Sequence, residues 1–209
     1  MGPHLEGTDS VLDLSDWIPE EIAGTRITKE VSSNKIEISG RYGNGRPFHL
    51  TLSRFINEQN FIFGCGLYAG EGTEGGKGTP FEFANSNPKI MSSMLNLLDE
   101  LGIKVMISPR LQIRLPRGST SSVRPLIEFW SKSMDIPLAK FRKTNVRFKD
   151  GAGRSAYGTI SIRINSGIVG RLFRFWTDQL TRRNTFSNPD RRKGTGSLAM
   201  RRQPGVSRS

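Results

Sequence analysis

Residues 61–78 read FIFGCGLYAGEGTEGGKG, seven glycines in eighteen positions behind an aromatic and aliphatic start. Three structures compete for such a stretch: a phosphate-cradling loop, a flexible linker, or a helix whose end presents an acidic side chain. Within it, 70-GEGTEG-75 fits the GxGxxG letters of a dinucleotide loop. That loop needs a strand before the glycines and a helix directly after them. Here the proline-free, helix-like run from Asn57 precedes, and the strand-like 80-PFEFANS-86 follows. Glu71 and Glu74 would also face the phosphates. A P-loop fails as well, because Gly78 stands where Ser or Thr must follow the lysine.

A helix accommodates the letters better. Gly66 and Gly70 then form a small-xxx-small pair on one face, and each costs about 0.5–1 kcal/mol relative to Ala. Close approach of another backbone on that face offsets the cost. The helix ends at Gly72, with Glu71 in its last turn. A carboxylate is unfavourable at a helix C-terminus, and a divalent metal is one compensating cation. TEGGKG is left as a turn into the next strand.

Outward from this stretch, charge is the next informative quantity. The 209 residues carry a net +12, unevenly distributed. Residues 1–22 hold six acids and no Lys or Arg, residues 23–180 hold 23 basic against 12 acidic residues, and residues 181–209 hold 8 against 1. The middle is basic by itself, which points to a polyanionic partner, nucleic acid first and an anionic membrane surface or the ribosome after it. One cysteine, Cys65, excludes an intrachain disulfide and a cysteine zinc site, and two histidines are too few for a histidine metal cluster. No apolar run reaches the length of a membrane span, and the N-terminus lacks a signal-peptide profile. The chain reads as cytoplasmic.

Periodicity divides the chain into an acidic N-terminal arm (1–24), a strand hairpin (25–56) turning at RYGNGRP, a first α/β unit (57–135), a partial ββα repeat (136–180) and a basic, disordered tail (181–209). Residues 88–101 place Ile90, Met94, Leu97, Leu98 and Leu101 on one helical face, with Asn85-Ser86-Asn87-Pro88 as its start and Gly102 as its C-cap. Two short strands, KVMIS and LQIRLP, flank Pro109, and a helix spans 119–135. Strand, turn, strand and helix follow to residue 180. The Asn-Ser pairs 85–86 and 165–166 each end a strand and cap the next helix, a hint of repetition. Tyr68, Trp130 and Trp176 read as core, and Cys65 as a small packing residue.

The string GCGLYAGEG, 64–72, resembles the motif helix of LAGLIDADG homing endonucleases, a glycine-rich helix end carrying one acid before a final Gly. The downstream FANSNPKIMSSMLNLLDELGI, IEFW and YGTISIRINS extend the resemblance over residues 35–180. It implies an α+β fold of αββαββα order, an antiparallel saddle-shaped sheet lying on double-stranded DNA, with helices packed on its other face. Gly66 and Gly70 fall on the close-packing positions of the motif helix, and Ala69 replaces an acid of the pattern. Glu71 falls on the residue that binds catalytic Mg2+, which implies metal-dependent hydrolysis of DNA phosphodiesters. With one clear motif, the resemblance implies either a homodimer around this helix or a monomer in which 121-SSVRPLIEFWSKSM-134 is a degenerate second motif helix. A non-cleaving DNA-binding regulator or an RNA-splicing maturase acting on intron RNA is the alternative of the same fold.

Candidate DNA contacts lie on the polar faces of the strands: Arg110, Gln112, Arg114, Arg117, Arg147, Lys149 and Arg163. Gln112 and Arg114 alternate with Leu111 and Ile113, so LQIRLP has one polar, cationic face. Lys104, Lys140 and Lys143 are candidates for an active-site cation. Tail arginines 191, 192, 201 and 202 add salt-sensitive affinity.

Overall fold

The computed structural model describes residues 10–72, 80–115, 123–141, 143–148 and 157–186, with backbone alone at 113–115, 143–148 and 183–186. The order of elements is β1 (Val11–Asp13), a 3-10 turn (Leu14–Trp17), β2 (Glu21–Ile22), β3 (Thr25–Val31), β4 (Lys35–Arg41), β5 (Pro47–Ser53) and β6 (Phe55–Asn57). Helix α1 (Glu58–Glu71), β7 (Phe81–Asn85), α2 (Pro88–Glu100), β8 (Ile107–Leu115), α3 (Arg124–Met134), β9 (Lys143–Phe148), β10 (Thr159–Ile164) and α4 (Gly167–Phe186) complete it. The fold is α+β. The turn TEGGKG, the start of the helix expected at 119, the turn DGAGRS and the basic tail lie outside the described residues.

Alternation builds the first sheet, an antiparallel meander of order β2-β3-β4-β5. Ile36 and Ile38 of β4 and Leu50 and Leu52 of β5 point into the core, with Glu37 and His49 on the other side. The β4–β5 turn is the expected one, Tyr42–Arg46, closed by Tyr42 N–H on the Arg46 carbonyl. From Ser10 onward the acidic arm is part of the fold: β1 pairs with β6, a short 3-10 helix spans Leu14–Trp17, Leu14, Ile18 and Ile22 are buried, and the Trp176 indole donates to the Trp17 carbonyl at 2.8 Å. The apolar residues at 14, 17, 18 and 22 drive this burial against the weight of the acids around them.

The second sheet has order β7-β10-β8-β9, antiparallel except for the parallel β8–β9 pair. One strand, not two, separates α1 from α2 and α2 from α3 among the described residues, so the αββαββα order expected over 57–135 is replaced by α1-β7-α2-β8-α3-β9-β10-α4. KVMIS and LQIRLP are not separate strands. Lys104–Met106 wind into a 3-10 turn and β8 runs unbroken through Pro109. Among the described residues β9 joins only from Arg110 onward, so no described strand pairs with Pro109 on that side, where its missing N–H costs nothing.

A single core links the sheets. Trp17, Phe61, Trp176, Phe173, Phe81 and Tyr68 touch in sequence, with ring centroids 4.6–5.3 Å apart. Tyr68, Trp130 and Trp176 are all core residues, as read from their apolar surroundings. Helix α2 buries Met91, Met94, Leu95, Leu97 and Leu98, and Gly102 ends it at φ 75°, the left-handed geometry that favours glycine. Its N-cap is Asn87, whose Oδ1 accepts from Lys89 N–H, while Asn85 Oδ1 closes a turn on Asn87 N–H. The Asn85-Ser86 pair is therefore a turn before the cap and not the cap itself.

Candidate nucleic-acid face and acidic helix end

Register puts the polar residues of the second sheet on one face. Ser108 stands opposite Arg163, which stands opposite Glu82; Arg110 stands opposite Ser161, which stands opposite Ala84. Gln112 is opposite Thr159 and, on the parallel side, Asn145; Lys143 registers with Arg110 and Arg147 with Arg114. Because side chains alternate along a strand, these positions share a face, and Phe81, Phe83, Ile107, Leu111, Ile160, Ile162 and Ile164 share the buried one. Arg110 and Arg163 are half-buried and Gln112 is exposed. Arg117 and Lys149 lie outside the described residues.

Ser161 was not legible as a member of this face. It is completely buried at the centre of the polar face. Among the described residues its Oγ, the Nε of Arg110 and the Nε of Arg163 are buried and find no hydrogen-bond partner. A buried polar atom left unpaired costs about 1–3 kcal/mol. The available signal was a lone hydroxyl between Ile160 and Ile162.

Helix α1 begins at Asn57, whose Oδ1 accepts Asn60 N–H at 2.9 Å, and ends at Gly72, whose N–H reaches the Tyr68 carbonyl at 2.8 Å. A β carbon at Gly72 would meet the Tyr68 ring 2.6 Å away, so only glycine fits between the helix end and its bridge to Phe83. Glu71 is therefore held in the last turn and is exposed. Burial raises the Tyr68 phenol above its ordinary range, and the neighbouring Arg174 guanidinium draws it partly back.

The glycines divide differently from expectation. Gly64 is pressed against Leu97 of α2, whereas a β carbon at Gly66 or Gly70 would meet nothing within 4 Å. Among the described residues, Gly66 and Gly70 are not at a tight helix crossing. They lie on an exposed face with Ile62 and Phe63, which are 47% and 56% exposed. Helix α1 packs on α2 and α4, and α3 packs on α2. The described part of 121–134, α3, thus does not take the place of a second motif helix against the Gly66–Gly70 face.

Two of the three lysines are not brought to Glu71. Glu100 accepts from Asn57 N–H and Asn60 at the start of α1. Lys104 lies just beyond it, 3.7 Å from Asp99, and Lys140 donates to the Val105 carbonyl at 3.1 Å. Both sit by the N-terminal end of a 14-residue helix, about 20 Å from its other end. Lys143 is the first residue of β9, on the polar face by register. Among the described residues no group of three or more His, Cys, Asp or Glu side chains is gathered for a metal ion, so Glu71 offers one carboxylate per chain.

No family model, curated protein or solved structure matches this chain. Among the described residues no helix is long and apolar enough to cross a membrane.

Proposed function

We propose that the chain binds double-stranded DNA along the polar face of the β7-β10-β8-β9 sheet and is a metal-dependent endonuclease of the LAGLIDADG type, acting as a homodimer through α1. The observation that carries this reading is the polar, cationic row that register builds on one sheet face, with Arg110 and Arg163 half-buried there and Gln112 exposed. Duplex DNA offers phosphate oxygens and base edges to such side chains. Arg114, Arg147, Lys143 and Asn145 extend the same register rows.

One Glu71 is too little for a metal site, but the open Gly66–Gly70 face lets a second α1 approach and bring a second carboxylate beside the first. Two carboxylates with phosphate oxygens form the hard oxygen set that Mg2+ prefers. When bound, the metal supplies charge stabilisation at the scissile phosphate and a more acidic water. The chain's own contribution is to fix Glu71 through the Gly72 cap and to hold DNA by the arginines of the sheet.

Cleavage of a randomised duplex library with Mg2+, comparing wild type with Glu71→Gln, tests the reading. Specific cutting by wild type, lost in the variant with DNA affinity retained, is the expected result. Cutting that survives in Glu71→Gln removes Glu71 from the chemistry. Tight binding without cutting favours the regulator or maturase reading, for which the single carboxylate per chain already speaks.

A further inference from the structure

A second feature lies at the seam of the two sheets. The β2–β3 turn, the β4–β5 turn, the end of β10 and the start of α4 enclose a cavity of about 590 Å3. Pockets for small organic ligands commonly measure about 300–1,000 Å3. Arg46, Arg163 and Arg171 line it with Asn44 and Asn165, and no Asp or Glu is among its described lining residues.

Arg171 is the telling residue. It is 7% exposed, yet no carboxylate pairs with it among the described residues. Its Nη1 donates to the Thr25 hydroxyl and, at 3.5 Å, to the Ile22 carbonyl, and its guanidinium lies 5.4 Å from the Tyr42 ring centroid. Its Nε, like that of Arg163, is buried without a partner among the described residues. A guanidinium does not deprotonate in proteins, so a buried one without a counter-ion carries a desolvation cost that neutral acceptors offset only in part. The positive end of the 20-residue α4 opens at Gly167 on the same cavity, where Ile168 N–H already donates to the Tyr42 hydroxyl at 3.0 Å. Ala23, with φ 49°, and Gly24, with φ 75°, are the two turn residues of the β2–β3 hairpin and form the opposite rim.

We infer that this cavity binds a phosphate monoester, its oxygens received by Arg171, Arg163 and Arg46 at the start of α4. Guanidinium forks suit a phosphate because they pair with two oxygens at once. The phosphate comes either from a free nucleotide-sized molecule or from the terminal phosphate of a nucleic-acid strand, and both place the same group in the cavity. The cavity shares Arg163 with the sheet face proposed to hold DNA, while Arg110, Gln112 and Glu71 do not line it.

Calorimetric titration and thermal shift with inorganic phosphate, against chloride and acetate at matched ionic strength, test the site. Saturable phosphate binding is expected, at least tenfold weaker in Arg46→Gln, an exposed rim residue whose loss spares the core, and abolished in Arg171→Met if that variant folds. Adenosine 5′-monophosphate binding more tightly than phosphate identifies a free small molecule. Affinity for a short oligonucleotide that depends on its 5′-phosphate identifies a strand end. No saturable phosphate effect, an equal effect of acetate, or unchanged binding in Arg46→Gln overturns the proposal, and none of these results bears on DNA cleavage by Glu71.

Discussion

Gly64 of α1 lies so close to Leu97 of α2 that the Leu97 side chain fills the space a β carbon would need. Two residues further along the same helix, Gly66 faces open space. The two glycines therefore answer the same substitution with opposite signs. Gly64→Ala forces α1 and α2 apart and costs about 1–3 kcal/mol of stability. In the single chain, Gly66→Ala gains up to about 1 kcal/mol in helix propensity. Urea denaturation of the two variants, monitored by circular dichroism, measures the contrast; equal destabilisation by both would refute the packing assignment.

The open face carries a second prediction. Ile62, Phe63, Gly66 and Gly70 form one apolar stripe, and a partner helix can approach closely only while both glycines are retained. Sedimentation velocity of wild type is expected to show a dimer, and Gly66→Gln a monomer with an unchanged circular dichroism spectrum. A wild-type monomer at every accessible concentration sinks the homodimer and with it the pairing of Glu71 across two chains.

The local rules of helix ends were readable because they act within a few residues. Asn57, Gly72, Asn87 and Gly102 all lie at the boundaries that their chemistry foretold. Alternation in β4 and β5 was equally plain. The role of Gly64 was not, since nothing in GCGLYAG says which glycine meets Leu97. The acidic arm hid its burial because charge dominated its composition, while four apolar residues decide its place. Ser161 and Arg171 gain their meaning only from strands and turns far away in sequence, which brought Arg110 beside one and Thr25 beside the other.

Asp13 ties the N-terminal segment to the start of β6. Arg54 donates to its Oδ2 through Nη2 at 2.7 Å and Nε at 2.9 Å, and Ser15 N–H to its Oδ1 at 2.9 Å. The Arg54 hydrogen bond first, then those from Ser15, hold its carboxyl well below the usual carboxylate range. A depressed folded pKa contributes stability above the unfolded value, about 3.9, and that contribution fades as pH falls below it. Wild type should therefore lose more stability between pH 5 and about 2 than Asp13→Asn does. Identical pH profiles in thermal melts would show that the pair is too solvated to matter.

Cys65 sits under Thr177 of α4 and is almost wholly buried, and burial pushes its thiol from an ordinary 9.0 up to about 12. Only the thiolate is nucleophilic, so the folded protein should leave a disulfide reagent unreacted at pH 8, with full reaction once denaturant opens α1 from α4. The same shift makes the unfolded chain the better acid. Stability contributed by the neutral thiol is complete below about pH 9 and declines as pH rises toward the folded value, by roughly 1 kcal/mol at pH 10. Cys65→Ala removes that decline, and the difference between the two stability profiles from pH 8 to about 10 reads it directly. Rapid labelling of native wild type at pH 8 would mean that α1 opens from α4 far below the global unfolding energy.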